Sequence, residues 1–283
     1  MEKRSKEKNG SDEVRAVRAL LEKGPGSVHL VGVGGIGMAG IALHLAGRGF
    51  KTSGCDLTES RVTDWLVSRG ISFLKGHRAD HLSPDTDWVV YTAAVISDHE
   101  ELQRARELGI PCFRRGAVLP ALLHGQTSVA VSGTHGKTTT SAMIAQVLFF
   151  CGRDPSFCVG GELDVLGGVA GVGRGGTMVV EADESDATVA LYEPDIAVIT
   201  NIEYDHMEHF KDEEDLLACF CAFARQARRR LVYCADDPRA AQLGRSLDKG
   251  LSYGFSPESV VRGSAFEEKP LSSSLAVSRE GQA

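Results

Sequence analysis

Val129-Ala-Val-Ser-Gly-Thr-His-Gly-Lys-Thr-Thr-Thr140 sets an apolar run ahead of small residues, then Gly136-Lys137-Thr138, then a helix-forming stretch from Ser141 to Leu148. The run reads as a buried strand and the whole as strand, tight turn and helix, the repeating unit of a parallel α/β sheet. A turn of this kind aims backbone N–H groups and a helix N-terminus at an anion. Lys137 adds a mobile positive charge for β- and γ-phosphates, and the Thr138 hydroxyl suits Mg²⁺. The P-loop consensus asks for a glycine five residues before Gly136, where this chain has Val131. The competing reading is a glycine-rich turn whose Lys137 is merely solvated.

Further strands are expected on both sides of this segment. Val28–Val31, Lys51–Cys55 and Trp88–Thr92 form a first series, and Ser128–Ser132, Thr177–Ala182, Ile196–Thr200 and Leu231–Cys234 a second. Runs this apolar, separated by helical stretches, indicate parallel sheets covered on both faces. The join falls near His124-Gly125-Gln126. Residues Met1 to about Glu13 are charge-dense and read as a loose tail, followed by a short helix at Val14–Leu21 that Gly24-Pro25-Gly26 closes. Ser252–Ala283 is rich in serine and glutamate, with one strand expected at Ser274–Val277, and reads as a domain cut short. The expected division is a tail and short helix over 1–26, one α/β domain over 27–125 and a second, incomplete, over 126–283.

Thirty-one basic against 38 acidic residues leave a net charge of −7, so nucleic-acid binding finds no basic footprint. No apolar stretch is long enough to span a bilayer and the charged N-terminus is unlike a signal peptide, so a cytoplasmic location is the default expectation. The seven cysteines include no C-x-x-C pair, which favours reduced thiols over a zinc site or a disulfide framework.

Three further clusters carry chemistry. Gly32-Val-Gly34-Gly35-Ile-Gly37 follows a strand and opens a helix, and Asp56 lies 19 residues beyond Gly37, placed to take a ribose hydroxyl. The pattern reports a diphosphate at a helix N-terminus; NAD, a nucleotide-sugar diphosphate or a ligand-free turn would each satisfy it. His77, after Gly76, is a lone loop histidine, ordinarily a surface residue. Thr177-Met-Val-Val-Glu181-Ala-Asp183-Glu-Ser-Asp186 is an apolar strand ending in carboxylates. Glu181 is the expected Mg²⁺ ligand, while Asp183, Glu184 and Asp186 either cap the next helix or face water. Ile196–Asn201 empties into Ile-Glu203-Tyr-Asp205-His206-Met-Glu-His209, where His206 can approach the same metal. A zinc site of His206 with His209 lacks a third ligand nearby.

Four blocks in this order, His29–Gly40, Ser132–Thr140, Glu181–Asp186 and Thr200–Met207, resemble the Mur ligases of peptidoglycan synthesis, with Arg114–Leu119 a weaker fifth match. The resemblance implies a Rossmann-like N-terminal parallel-sheet domain that binds a UDP-sugar, with Gly32, Gly34, Gly35 and Gly37 along the diphosphate and Asp56 and His77 near the uridine. It also implies a P-loop-type α/β central domain that binds ATP through Gly133, Thr134, His135, Gly136, Lys137, Thr138 and Thr139. Magnesium would be organised by Thr138, Glu181 and His206, with Lys137, Glu181 and His206 as the catalytic set. The similarity is greatest to the alanine-adding branch, which implies UDP-N-acetylmuramate and L-alanine as substrates and an acyl-phosphate intermediate. The family continues into a C-terminal amino-acid-binding domain, and residues 256–283 resemble no part of it. A non-catalytic nucleotide-binding remnant and a peptide-recycling ligase on UDP-muramate are therefore the alternatives. Oligomeric state is not written in these residues.

Overall fold

The computed structural model describes residues 2–96, 98–184, 188–204, 210–270 and 272–280, with side chains from residue 10 onward. Contacts divide the chain into one unit of residues 1–127 with 141–180 and another of 128–140 with 181–283. In chain order the elements begin α1 (Glu2–Lys23), β1 (Ser27–Val31), α2 (Ile36–Gly47), β2 (Lys51–Asp56), α3 (Arg61–Ser68), β3 (Ser72–Lys75), β4 (Trp88–Tyr91), α4 (Glu100–Leu108), β5 (Cys112–Arg114) and α5 (Arg115–Leu122). They continue with β6 (Thr127–Ser132), α6 (Lys137–Phe150), β7 (Ser156–Leu163), β8 (Gly168–Gly171), β9 (Thr177–Glu181) and β10 (Ile196–Ile199). The last are α7 (Glu213–Gln226), β11 (Arg230–Cys234), α8 (Pro238–Arg245), β12 (Gly250–Gly254), β13 (Val261–Lys269) and β14 (Ser272–Arg279).

In the first unit five parallel strands run in the order β3-β2-β1-β4-β5. Strand order reverses between β1 and β4, so a crevice opens beyond the carboxyl end of β1, where open α/β sheets take their ligands. The glycine cluster Gly32–Gly37 lies at that end. Val28, Leu30 and Val31 are fully buried, as strands covered on both faces require. Trp88 is also fully buried, with Phe50 and Phe113 set edge-on at 5.8 and 6.0 Å. Truncating such an aromatic core costs about 3–5 kcal/mol. Helix α2 is apolar all round and buried from Met38 to Leu45, because the β7–β8 pair covers its far side. Gly40 allows this approach, since a Cβ there would collide with Cys158.

In the second unit β13, β12, β11, β10 and β6 are parallel in that order, and β14 adds antiparallel to β13. The N-caps Asp212 of α7 and Asp237 of α8 each accept a backbone N–H three residues on, which starts the two helices where the sequence supplies an acid.

Two expectations need correction. The charge-dense start, read as a loose tail, is helical from Glu2, and the helix carries buried Val14 and Val17 on one side, an i, i+3 pair. Strands β3, β5, β7, β8, β12 and β13 were not anticipated. Among the described residues no helix is long and apolar enough to cross a membrane.

Candidate nucleotide and phosphate sites

In the first unit the chain turns out of β1 at Gly32, whose φ of +84° favours glycine. The Gly32 and Val33 N–H groups both donate to the Cys55 carbonyl at 2.9 Å, which ties the turn to β2. Asp56 closes the loop: its Oδ2 accepts the Gly34 N–H at 2.9 Å and its Oδ1 the Leu57 N–H at 2.8 Å. A Cβ on Gly34 would stand 2.8 Å from Asp56 Oδ2, so this glycine is required by close approach. Gly35 is the N-cap of α2. Arg115, at the start of α5, brings its Nη1 within 2.5 Å of where a Gly37 Cβ would be, placing a guanidinium against the N-terminal turn of α2. The structure thus joins Gly32, Gly34, Gly35, Gly37 and Asp56 in one loop and adds positive charge there.

His77 is not the surface histidine its position suggested. Its Nδ1 lies 3.3 Å from Cys55 Sγ and 3.4 Å from Glu101 Oε2, and its ring meets His99 edge-on at 4.5 Å. Glu101 is fully buried; Cys55 Sγ donates to it at 3.1 Å and His81 Nδ1 lies 2.8 Å from it. Burial pushes the Glu101 carboxyl up, but the neighbouring His29, Cys55 and His81 side chains outweigh it and hold the group down at about 2. Burial, reinforced by the Glu101 hydrogen bond and charge, pushes the Cys55 thiol up. All seven cysteines are free thiols.

In the second unit β6 runs through Ser132 before the chain turns. Val131 is fully buried opposite Val198 of β10, which is why a strand residue occupies the position where the consensus has glycine. The turn begins at Gly133 (φ +138°) and ends at Gly136 (φ +81°), just before Lys137 opens α6. The loop is clamped by the segment after β10. The Thr134 N–H donates to the Asn201 carbonyl at 3.1 Å, and Thr134 Oγ1 accepts the Glu203 N–H at 2.8 Å. Asn201 brackets His135, accepting its N–H at 2.8 Å and donating to its carbonyl at 3.0 Å, and Thr200 Oγ1 donates to the same carbonyl at 2.7 Å.

Lys137 Nζ donates to the Gly133 carbonyl at 2.7 Å, the Thr134 carbonyl at 3.2 Å and Glu184 Oε1 at 2.8 Å. Glu184 does not face water: it is 1% exposed, and its Oε2 has no hydrogen-bond partner among the described residues. Burial raises its carboxyl above the ordinary range, with Lys137 pulling the other way. Glu181 ends β9, and the next N–H, of Ala182, donates to the Val131 carbonyl at 2.8 Å, so this strand end runs beside the end of β6. Thr138 and Thr139 lie in the first turn of α6. His206 and His209, with Asp186, lie outside the described residues. In the sequence Thr200, Asn201 and Arg115 carry no signal beyond their place inside the blocks already noted, and Glu184 reads there as a helix cap or a surface acid.

Family models match twice: the Mur ligase family catalytic domain over residues 27–127 and the Mur ligase middle domain over residues 131–282. A UDP-N-acetylmuramate–L-alanine ligase of Gloeobacter violaceus is 47% identical over 74% of this chain and 45% of its own length. Its counterpart in Carboxydothermus hydrogenoformans is 43% identical over 87% of this chain and 52% of its own. Among solved structures, the UDP-N-acetylmuramate–alanine ligase of Thermotoga maritima superposes with a TM-score of 0.81 at 30% identity, over 91% of this chain and 59% of that one. The UDP-N-acetylmuramate:L-alanyl-γ-D-glutamyl-meso-diaminopimelate ligase of Neisseria meningitides gives 0.79 at 25% identity, over 91% and 85%. The chain spans about half the length of the curated relatives it matches. With a glycine loop closed by Asp56, a lysine loop clamped by Thr200 and Asn201, and both domain models matched in order, the chain belongs to the Mur ligase family.

Proposed function

We propose that this chain supplies the UDP-N-acetylmuramate-binding and Mg-ATP-binding parts of a ligase that joins L-alanine to UDP-N-acetylmuramate. The observation that carries the reading is the lysine loop, clamped to the segment after β10 by Thr200, Asn201 and Glu203. The identity of 43–47% to alanine-adding relatives supports these substrates.

A carboxylate is a poor acyl donor, so the reaction needs activation. An oxygen of the muramate carboxylate attacks the γ-phosphorus of ATP, the bond to ADP breaks, and an acyl phosphate forms. The alanine amine then attacks the carbonyl carbon, loses a proton, and inorganic phosphate leaves. Charge builds on phosphate oxygens in both steps, and preorganised positive groups stabilise it. Lys137 is that group here: its Nζ, now shared among the Gly133 and Thr134 carbonyls and Glu184 Oε1, would exchange the two carbonyls for β- and γ-phosphate oxygens while keeping its ion pair with Glu184. The donors suit a hard cation: the Thr138 hydroxyl and the Glu181 carboxylate both offer oxygen, and the third expected ligand, His206, lies outside the described residues. Bound there, Mg²⁺ would neutralise phosphate charge.

The test is phosphate release by the full chain with Mg-ATP, UDP-N-acetylmuramate and L-alanine, each omitted in turn. Release that needs all three supports the reading, and release from Mg-ATP alone refutes it. The likeness to the Neisseria ligase favours one second reading, transfer of a peptide rather than alanine. Release with L-alanyl-γ-D-glutamyl-meso-diaminopimelate in place of alanine would select it.

A further inference from the structure

A buried cluster in the first unit is absorbed by neither nucleotide site. His29 (β1), Cys55 (β2), His81 and Glu101 (α4) each offer one ligand atom, and these atoms all lie within 4.8 Å of one another. His29 and Glu101 are 1% and 0% exposed, and Cys55 is fully buried.

The hydrogen bonds decide what such a cluster lacks. His29 Nδ1 lies 2.9 Å from Ser53 Oγ, and that hydroxyl donates to the Val28 carbonyl at 3.5 Å. The roles at this contact follow the imidazole tautomer, and the tautomer with hydrogen on Nδ1, donating to Ser53, leaves a lone pair on Nε2. His29 Nε2 is buried with no hydrogen-bond partner among the described residues, and it faces Glu101 Oε1 across 3.7 Å. In that tautomer two buried lone-pair bearers face each other, an arrangement a cation between them would satisfy. The gap is too long for a good hydrogen bond. It is close to the separation of about 3.4 Å that two ligand bonds of about 2.1 Å make at a tetrahedral centre. His81 Nδ1 at 2.8 Å from Oε1 and Cys55 Sγ at 3.1 Å from Oε2 complete the ring of donors.

We infer that His29, Cys55, His81 and Glu101 form a closed, structural site for one Zn²⁺ ion. Sulfur and imidazole donors select a borderline-soft metal over Mg²⁺, and four protein ligands leave no open position for catalysis. Ser53 acts on His29 as outer-shell partners of zinc-bound histidines do, fixing tautomer and ring orientation. His77 and His99 approach the other carboxylate oxygen at 3.4 and 3.6 Å and steady it from outside the ligand ring. Binding releases the Cys55 proton to solvent, since a coordinating thiol is bound as thiolate. The ion would tie β1 and β2 to α4 and stabilise this unit by mass action.

The experiment uses the full chain, tag removed, grown with zinc and dialysed. Metal analysis should find about one zinc per chain, the count for a single closed site. After chelation, Co²⁺ should give the absorption of a tetrahedral site with a thiolate-to-cobalt charge-transfer band. Cys55→Ser should lose that band, and His81→Ala should lose stoichiometric metal and the zinc-induced rise in melting temperature. Wild-type protein that takes up no zinc overturns the inference without any variant. A cobalt spectrum unchanged in Cys55→Ser, or metal lost instead in a His206→Ala/His209→Ala variant, overturns it equally.

Discussion

Asn201→Ala should weaken Mg-ATP binding about fivefold while sparing UDP-N-acetylmuramate, a factor set by the loss of about 1 kcal/mol. Asn201 holds the phosphate loop by two hydrogen bonds to the His135 backbone, at 2.8 and 3.0 Å. A neutral hydrogen bond contributes about 0.5–1.5 kcal/mol net, so the pair spans roughly 1–3 kcal/mol. Both bonds are open to solvent, and water replaces them when the side chain is truncated, so the lower end applies. Thr200 still donates to the His135 carbonyl at 2.7 Å, so the loop keeps part of its anchorage. The loss enters as a smaller fraction of loops in the binding-competent shape, and apparent affinity falls by that fraction. Asn201→Asp should do worse, because it sets a carboxylate oxygen against the His135 carbonyl and adds negative charge beside a phosphate site. Titration calorimetry with a non-hydrolysable Mg-ATP analogue and, separately, with UDP-N-acetylmuramate reads both effects. Affinity for the analogue unchanged in both variants, or equal loss of both ligands, would refute the reasoning.

Other positions test the same account. Gly133→Ala puts a Cβ about 3 Å from the backbone N and O of Asn201 at a φ of +138°, so it should cost more ATP affinity than Asn201→Ala and lower the melting temperature. A variant with wild-type affinity would show the loop to be pliant. Gly34→Ala places a Cβ 2.8 Å from Asp56 Oδ2 and should weaken UDP-sugar binding alone, as calorimetry would register. His44 gives a pH prediction: burial holds its pKa down at about 4, against 6.5 ordinarily, while its Nε2 lies 3.0 Å from the Phe157 carbonyl. Below pH 6.5 the unfolded chain takes up a proton that the folded chain refuses until about pH 4, so stability falls across that window and is full above it. Full protonation across that window would cost about 3 kcal/mol. His44→Gln keeps a donor for Phe157 and removes the titration, so urea midpoints measured from pH 7.5 to pH 4 should fall less steeply than in wild type. Equal slopes would contradict this.

Strands β1, β4, β6, β9, β10 and β11 were legible from short apolar runs, whereas β2, Lys51–Asp56, carries no such run. Strands β7 and β8 were not, since Ser156–Leu163 and Gly168–Gly171 hold five glycines or serines between them that a periodicity reading takes for turns. Strand β13 is exposed along most of its length and carries no apolar alternation. Both phosphate-type loops were readable, because each packs its chemistry into a dozen consecutive residues. Their supports were not. Asn201 meets His135 across 66 positions and Glu184 meets Lys137 across 47, distances over which only the sheet order brings residues together. The His29–Cys55–His81–Glu101 cluster is spread the same way over four elements, so cysteine spacing alone argued against zinc.

The central claim, two separate ligand loops in one chain, is tested most directly by titrating Mg-ATP and UDP-N-acetylmuramate into wild type, Lys137→Ala and Asp56→Ala. The account predicts crosswise losses: Lys137→Ala loses Mg-ATP and keeps the UDP-sugar, and Asp56→Ala weakens the UDP-sugar and keeps Mg-ATP. Parallel loss of both ligands in either variant, or no UDP-sugar binding by folded wild type, would contradict it.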